Sequence, residues 1–218
     1  MTITLISQET EKSHRNAEQR VILHNISWSG YEQILQILGD NRSSRLIYDE
    51  GTLEITMPLE EHESSNEMIG VFIRAMTLAL GYNLKSMGST TLNFPSLKKG
   101  AEPDKCYYIQ NEPLVRGKTV DLEQDPPPNL VLEVDIIHSD INKFKLYGSM
   151  GIAEFWRYDG EVLSIYHLNS DGYMEFDKSP TFPKFFKDDL YKFLSQCQCV
   201  GESKALRDLQ SSLRSPTY

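Results

Sequence analysis

The sequence lacks the features of membrane-inserted and disulfide-stabilised proteins. No apolar run approaches the ~20 residues needed to cross a bilayer, and the N-terminal segment MTITLISQETEKSHRN is too polar for a signal peptide. There are only three cysteines, Cys106, Cys197 and Cys199, an odd number without metal-binding spacing. These absences predict a protein of the reducing cytoplasm that has no membrane partner.

Signatures of nucleotide binding and of nucleophilic hydrolysis are missing as well. The chain has no Walker A motif, no dinucleotide-binding glycine pattern and no G-x-S-x-G elbow. Its 31 acidic residues outnumber its 22 lysines and arginines, and the net charge of −9 argues against a broad phosphate-binding surface. Metal-dependent chemistry on nucleic acid stays open, because a bound cation changes the sign of the field at an acidic site.

The length and the pattern of apolar residues predict one domain with additional segments at both ends. We divide the 218 residues into an N-terminal arm at 1–29, a main domain at 30–195 and a C-terminal helical extension at 196–218. Apolar spacing predicts a short helix ending at Gly39, with Ile34, Leu35, Ile37 and Leu38 on one side. It also predicts a long helix over EHESSNEMIGVFIRAMTLALGY, and two amphipathic helices near the C-terminus.

Strands are predicted between these helices. RLIYDEGTLEITMP has the pattern of a hairpin, and AEFWRYDG, EVLSIYHLN and DGYMEFD have that of a meander. NLKSMGSTTLNFP and PDKCYYIQ supply short strands on either side of a Lys/Gly-rich turn. The order of elements predicts an α/β fold of the α+β type, with a mixed sheet in packed layers.

The segment NLVLEVDII, Asn129 to Ile137, predicts a central strand that contains two acids. Alternation places Val131, Glu133 and Asp135 on one face of it. Two unpaired carboxylates in a buried strand would cost several kcal/mol or become protonated. A divalent cation or a lysine would keep them charged. The alternatives are a solvated edge strand and a structural ion pair with Lys143 or Lys145.

Two other segments carry candidate groups. Glu102 and Asp104 flank Pro103 at the start of a predicted strand, where they border either a cleft or a solvated turn. SDINKFKLYGSMG predicts a helix with Ser139 or Asp140 as N-cap, on which Lys143 and Tyr147 share a face while Lys145 points elsewhere. Such a lysine could stabilise developing charge on a phosphate, although most helix lysines are simply solvated.

Taken together, PPPNLVLEVD, NKFKLY and GIAEFWRYDG resemble the Uma-type putative endonuclease family, within the PD-(D/E)xK, restriction-endonuclease-like superfamily. The resemblance covers roughly residues 31–173 and is most specific from Glu133 to Asp159. It implies a restriction-endonuclease-like core with helices on both faces of the sheet, a Mg²⁺ or Mn²⁺ site, and DNA as substrate. It also implies that Asp104 and Glu133 bind the metal and that Lys143 is the catalytic lysine.

The sequence departs from the expected pattern in two places. Asp135 stands where the simple D/ExK motif has lysine, and RLIYDEG stands where the family tends to have a glutamate before the hairpin turn. Asp135, Lys145 and the helix acid Glu67 remain additional candidates, and a homodimer is an expectation from analogy alone. The alternative interpretations are an inactive nuclease-fold scaffold, with its acids in ion pairs, and an acidic surface for a basic protein partner.

Overall fold

The computed structural model describes residues 19–39, 42–57, 60–88, 90–135, 139 and 141–214. One group of strands forms a five-stranded antiparallel sheet in the order β1-β3-β2-β6-β5. These strands are β1 Gln19–Leu23, β2 Arg45–Asp49, β3 Thr52–Met57, β5 Leu92–Phe94 and β6 Lys99–Ala101. Here β4 denotes Lys85–Gly88, which belongs to the second sheet.

The second sheet has six strands in the order β11-β10-β9-β8-β7-β4. Its remaining members are β7 Lys105–Tyr108, β8 Leu130–Val134, β9 Glu154–Tyr158, β10 Leu163–Asn169 and β11 Gly172–Phe176. The β8–β9 pair is parallel and the other pairs are antiparallel, so this sheet is mixed. β8 lies in the interior of the sheet, as its apolar sequence predicts.

Six helices surround the sheets in the described part of the chain. They are α1 Trp28–Leu38, α2 Glu60–Ala79, α3 Glu112–Val115, α4 Lys143–Ser149, α5 Lys187–Val200 and α6 Glu202–Leu213. No helix in these ranges is long and apolar enough to span a bilayer. The predicted α/β class with a mixed sheet is confirmed, whereas the division of the chain into three segments remains a prediction.

Three apolar clusters hold the layers together. The largest packs α2, α5 and α6 against the Leu130, Leu132 and Val134 face of β8. The second lies on the opposite face, where Val131 and Phe155 meet α4 and the inner side of the five-stranded sheet. The third packs α1 on the outer side of that sheet. Helices therefore cover both faces of the six-stranded sheet, as predicted. Leu130, Leu132 and Val134 lie on one face of β8 and Val131 on the other, as strand alternation predicts.

Several local predictions are confirmed and a few are wrong. Glu50 and Gly51 both have positive φ, the conformation of a tight two-residue hairpin turn between β2 and β3. Gly39 ends α1 and Ile34 and Leu35 pack on its apolar side, but Ile37 and Leu38 are exposed and do not join that side. The N-cap of α4 is Asn142, whose side chain accepts a hydrogen bond from the Lys145 amide. The predicted N-cap at Ser139 is wrong, and Asp140 lies outside the described residues.

The predicted Lys/Gly-rich turn is confirmed only in its first part. A 3-10 turn at Pro95–Leu97 ends at Lys98, which has positive φ, whereas Lys99 and Gly100 belong to strand β6. A lysine–glycine pair is typical of turns, yet here each of the two residues is held in the sheet by a contact with a residue distant in sequence. The ring of Tyr31 lies so close to Gly100 that a Cβ there would fall 2.2 Å from the Tyr31 hydroxyl oxygen. The ammonium group of Lys99 is paired with Asp49 on β2.

Candidate active site

A narrow, buried pocket lies between the two sheets, beside the first turns of α2 and α4. Its lining carries five carboxylates, from Glu54, Glu102, Asp104, Glu133 and Asp135. Three cationic side chains, Arg20, Arg45 and Lys143, also line it, together with His62. The free volume is about 30 Å³, enough for about two water molecules. The pocket therefore brings together the predicted site residues Asp104, Glu133 and Lys143 and the additional candidate Asp135.

Glu133 is held at the floor of this pocket by two residues of α4. Its Oε2 accepts a hydrogen bond of 3.0 Å from Nζ of Lys143, and its Oε1 accepts a short one from the Tyr147 hydroxyl. Burial raises the pKa of Glu133 to about 7; Lys143 opposes this shift, and the Asp104 and Asp135 carboxylates add to it. The ionised form of Glu133 is thus poorly stabilised even with its lysine in place.

Asp104 reaches the same pocket from the residue before β7. Its Oδ2 accepts a 2.7 Å hydrogen bond from the Val134 amide and lies 3.2 Å from Nε2 of His62. Its Oδ1 lies 3.0 Å from Nε of Arg45. Burial would raise the pKa of Asp104, but His62, Arg45 and the Val134 amide together lower it. The Pro103–Asp104 segment is therefore not a solvated turn.

The two candidate lysines have different environments. Lys143 is buried between Glu133 and Asp135, at 3.0 and 2.6 Å. Burial disfavours its charge, but these two carboxylates outweigh burial and raise the pKa of Lys143 above its ordinary value. Lys145 is 58% exposed and binds Glu50 at the β2–β3 turn, 3.1 Å away. Of the two, only Lys143 lines the pocket.

Asp135 occupies the position of the motif lysine and binds two cations. Its Oδ1 accepts the 2.6 Å hydrogen bond from Lys143, and its Oδ2 lies 3.3 Å from Nε of Arg157. Glu67, the helix candidate, does not line the pocket; it is 65% exposed and bound to Lys105. His138, which follows β8 in the sequence, lies outside the described residues.

Sequence reasoning assigned no role to four charged or titratable residues that line the pocket: Arg20, Arg45, Glu54 and His62. His62 stands in the first turn of α2, where the helical pattern alone does not distinguish a buried polar residue from an exposed one. Glu54 belongs to β3, one strand after the expected position of an upstream acid, and it accepts hydrogen bonds from the Ser139 hydroxyl at 3.0 and 3.1 Å. Alternation in TLEITM does not identify it, because Glu54 falls on the polar side of the strand with Thr52 and Thr56.

The donor set suits a hard divalent cation. In the described ranges, no three His, Cys, Asp or Glu side chains are grouped as a metal cage. Mg²⁺ does not require one, since it keeps several waters and binds proteins through one or two carboxylates. Asp104 and Glu133 offer such oxygens in a pocket of water-sized volume, and the raised pKa of Glu133 reflects a carboxylate that additional positive charge would stabilise.

Comparisons with known proteins show a match to one family model. The model of the family Uma2, described as "Putative restriction endonuclease", matches residues 28–184. The fold is similar to the crystal structure of a putative nuclease belonging to DUF820 from Anabaena variabilis ATCC 29413, at 15% sequence identity and a TM-score of 0.49. That similarity covers 76% of this chain and 97% of the other. No curated protein matches the chain.

Proposed function

Because the chain belongs to the Uma2 family of putative restriction endonucleases, we propose that it is a metal-dependent endonuclease that hydrolyses DNA phosphodiester bonds. The observation that carries the proposal is the position of Lys143. Its ammonium group lies 3.0 Å from Glu133, inside the pocket that Asp104 also lines. Two acids and a lysine in one enclosed space are the groups that this reaction requires.

Asp104 and Glu133 would hold Mg²⁺ or Mn²⁺ through their carboxylate oxygens. When bound, the cation would supply a water of lowered pKa and positive charge for the phosphate oxygens. The chain contributes the alignment of the two acids. The Val134 amide fixes Asp104 relative to β8, and the Tyr147 hydroxyl fixes Glu133 relative to α4. Two strands and one helix therefore set the spacing of the carboxylates.

Lys143 acts as a fixed positive charge in this proposal. Its raised pKa keeps it an ammonium at neutral pH, so it cannot serve as a general base. The ammonium can instead stabilise negative charge that develops on the phosphate, or orient a water molecule. Burial strengthens both effects, because a charge acts more strongly where water is excluded.

A non-catalytic scaffold is the second candidate function, and one observation favours it. Each of the five pocket carboxylates has a cationic partner in the protein. The pairs are Glu54–Arg20, Glu102–Arg42, Asp104–Arg45, Glu133–Lys143 and Asp135–Arg157. A metal would have to compete with Arg45 and Lys143. In a non-catalytic scaffold, the five carboxylates would stay in these ion pairs and would bind no metal.

The remaining parts of the proposal concern partners and location. We propose DNA as the substrate and a homodimer as the assembly, because a double-strand cut needs two sites. We propose a cytoplasmic location, because the three cysteines are free and such thiols persist in reducing compartments.

Plasmid nicking tests the proposal. Supercoiled DNA is incubated with the wild type and with Glu133→Ala, with Mg²⁺, with Mn²⁺ and with EDTA. We expect relaxed plasmid only with wild type and metal. The scaffold is the correct interpretation if wild type and Glu133→Ala give the same product in every condition. The matched control is Glu67→Ala, an exposed acid outside the pocket, which should retain wild-type activity.

A further inference from the structure

A fourth cationic side chain, Arg157, contacts the pocket residue Asp135 from the neighbouring strand. β9 runs parallel to β8, and Arg157 is the register partner of Glu133. Paired residues of adjacent strands project from the same face of a sheet. The shared face is confirmed two pairs earlier, where Val131 and its partner Phe155 join the same apolar cluster. Arg157 therefore projects from the sheet beside Glu133.

The Arg157 side chain is anchored at one nitrogen. Its Nε lies 3.3 Å from Oδ2 of Asp135, whose other oxygen binds Lys143. Among the described residues, this ion pair through Nε is the contact that holds the Arg157 guanidinium. A guanidinium held in this way keeps its terminal donors available for a second, bidentate anion.

Arg157 is also the cation at this site that is most open to solvent. Its side chain is 30% exposed, against 16% for Arg20, 14% for Arg45 and 10% for Lys143. Those three are buried against carboxylates of the pocket. A phosphate group that approaches from solvent would meet Arg157 before it could reach the other cations.

We propose that Arg157 binds a substrate phosphate next to the one that is cleaved, with Asp135 as the anchor of its guanidinium. This inference rests on the proposed nuclease function and adds a substrate contact to it. It also gives Asp135 a role: the carboxylate at the position of the motif lysine connects the buried Lys143 to the exposed Arg157. The chain has a net charge of −9, so a local cation beside the pocket is needed to attract a polyanion.

The test measures binding and cleavage separately. Fluorescence anisotropy of a labelled DNA duplex in EDTA gives Kd at several salt concentrations, and plasmid cleavage in Mg²⁺ gives KM and kcat. Arg157→Gln should weaken binding about tenfold and reduce the salt slope by about one unit. Its KM should rise with kcat nearly unchanged. Arg157→Lys should retain the salt slope and regain part of the affinity.

The matched control is Arg74→Gln, which removes an exposed arginine of α2 that binds Ser86 on the far edge of the same sheet. It should bind DNA like the wild type. Equal Kd and salt slope for Arg157→Gln and Arg74→Gln, with an active wild type, would overturn the inference and leave the nuclease proposal standing. A wild type that neither binds nor cleaves DNA would overturn both. Thermal unfolding of each variant identifies a purely structural role, in which stability falls while Kd is unchanged.

Discussion

The ammonium nitrogen of Lys143 lies 3.0 Å from Oε2 of Glu133, although the two residues belong to different elements, a helix and a strand. Both side chains are buried. A buried charge pair of this kind is seldom retained for stability alone, because desolvation offsets most of its Coulombic attraction. The pair therefore indicates either a functional site or a specific structural lock, and the two roles predict different mutant behaviour.

Lys143→Gln should reduce DNA cleavage about a hundredfold, because it removes a positioned charge from the reaction site. It should also destabilise the protein by about 3 kcal/mol, because Glu133 is left buried without its partner. Plasmid cleavage and urea unfolding measure the two effects. Lys145→Gln, which removes an exposed lysine, should change cleavage by less than about twofold.

The double variant Glu133→Gln/Lys143→Gln separates stability from chemistry. Removal of both charges should restore most of the lost stability, since no unpaired charge remains, while cleavage stays absent. Recovery of cleavage together with stability would show that the pair is only a structural lock.

Asp135→Asn should lower kcat about tenfold and leave divalent-metal affinity unchanged, since Asp135 binds Lys143 and Arg157 in this structure. Mn²⁺ titration and steady-state cleavage of the same preparations measure both quantities. A large loss of Mn²⁺ affinity in Asp135→Asn would make Asp135 a metal ligand instead. Asp171→Asn, in the exposed β10–β11 turn, serves as the charge-matched control.

The local part of the site could be predicted from the sequence. Alternation places Glu133 on the Val131 face of β8, and helical spacing puts Lys143 and Tyr147 together on α4; these two residues bind opposite oxygens of Glu133. Both arguments use neighbours within fifteen residues of chain. They succeed because side-chain direction in a strand or helix depends on local backbone geometry.

The long-range part could not be predicted from the sequence. His62 and Arg45 bind Asp104 from other elements, and nothing in the spacing of these residues indicates that a helix and a different sheet converge there. Strand β6 was missed for the same reason. Lys99 and Gly100 favour a turn by local propensity, and their place in a sheet depends on Asp49 and Tyr31, which are distant in sequence.

Glu154→Gln should destabilise the fold by about 2 kcal/mol without changing DNA cleavage per folded molecule. Glu154 is buried; its Oε1 accepts hydrogen bonds from Trp156 and Ser179, and its Oε2 accepts one from the Thr181 amide. An amide nitrogen at the Oε2 position would face another donor. Urea unfolding gives the stability change, with the exposed Glu161→Gln as control. An unchanged unfolding midpoint would contradict this assignment.

The three free cysteines should react at very different rates. Burial raises the pKa of Cys106 to about 12, so almost no thiolate forms at about pH 8. Cys199 is exposed, and Cys197 is partly buried. Alkylation with iodoacetamide followed by mass spectrometry should label Cys199 first and Cys106 only after denaturation. Early labelling of Cys106 would mean that the apolar layer between the sheets opens readily.

The central claim, that Asp104 and Glu133 share one divalent cation, is tested most directly by Mn²⁺ titration followed by electron paramagnetic resonance. The account predicts one Mn²⁺ bound per chain in the wild type, with Mg²⁺ as a competitor. It predicts loss of this site in Asp104→Asn and in Glu133→Gln, and its retention in Glu67→Gln. Equal Mn²⁺ binding by the wild type and both pocket variants would contradict it.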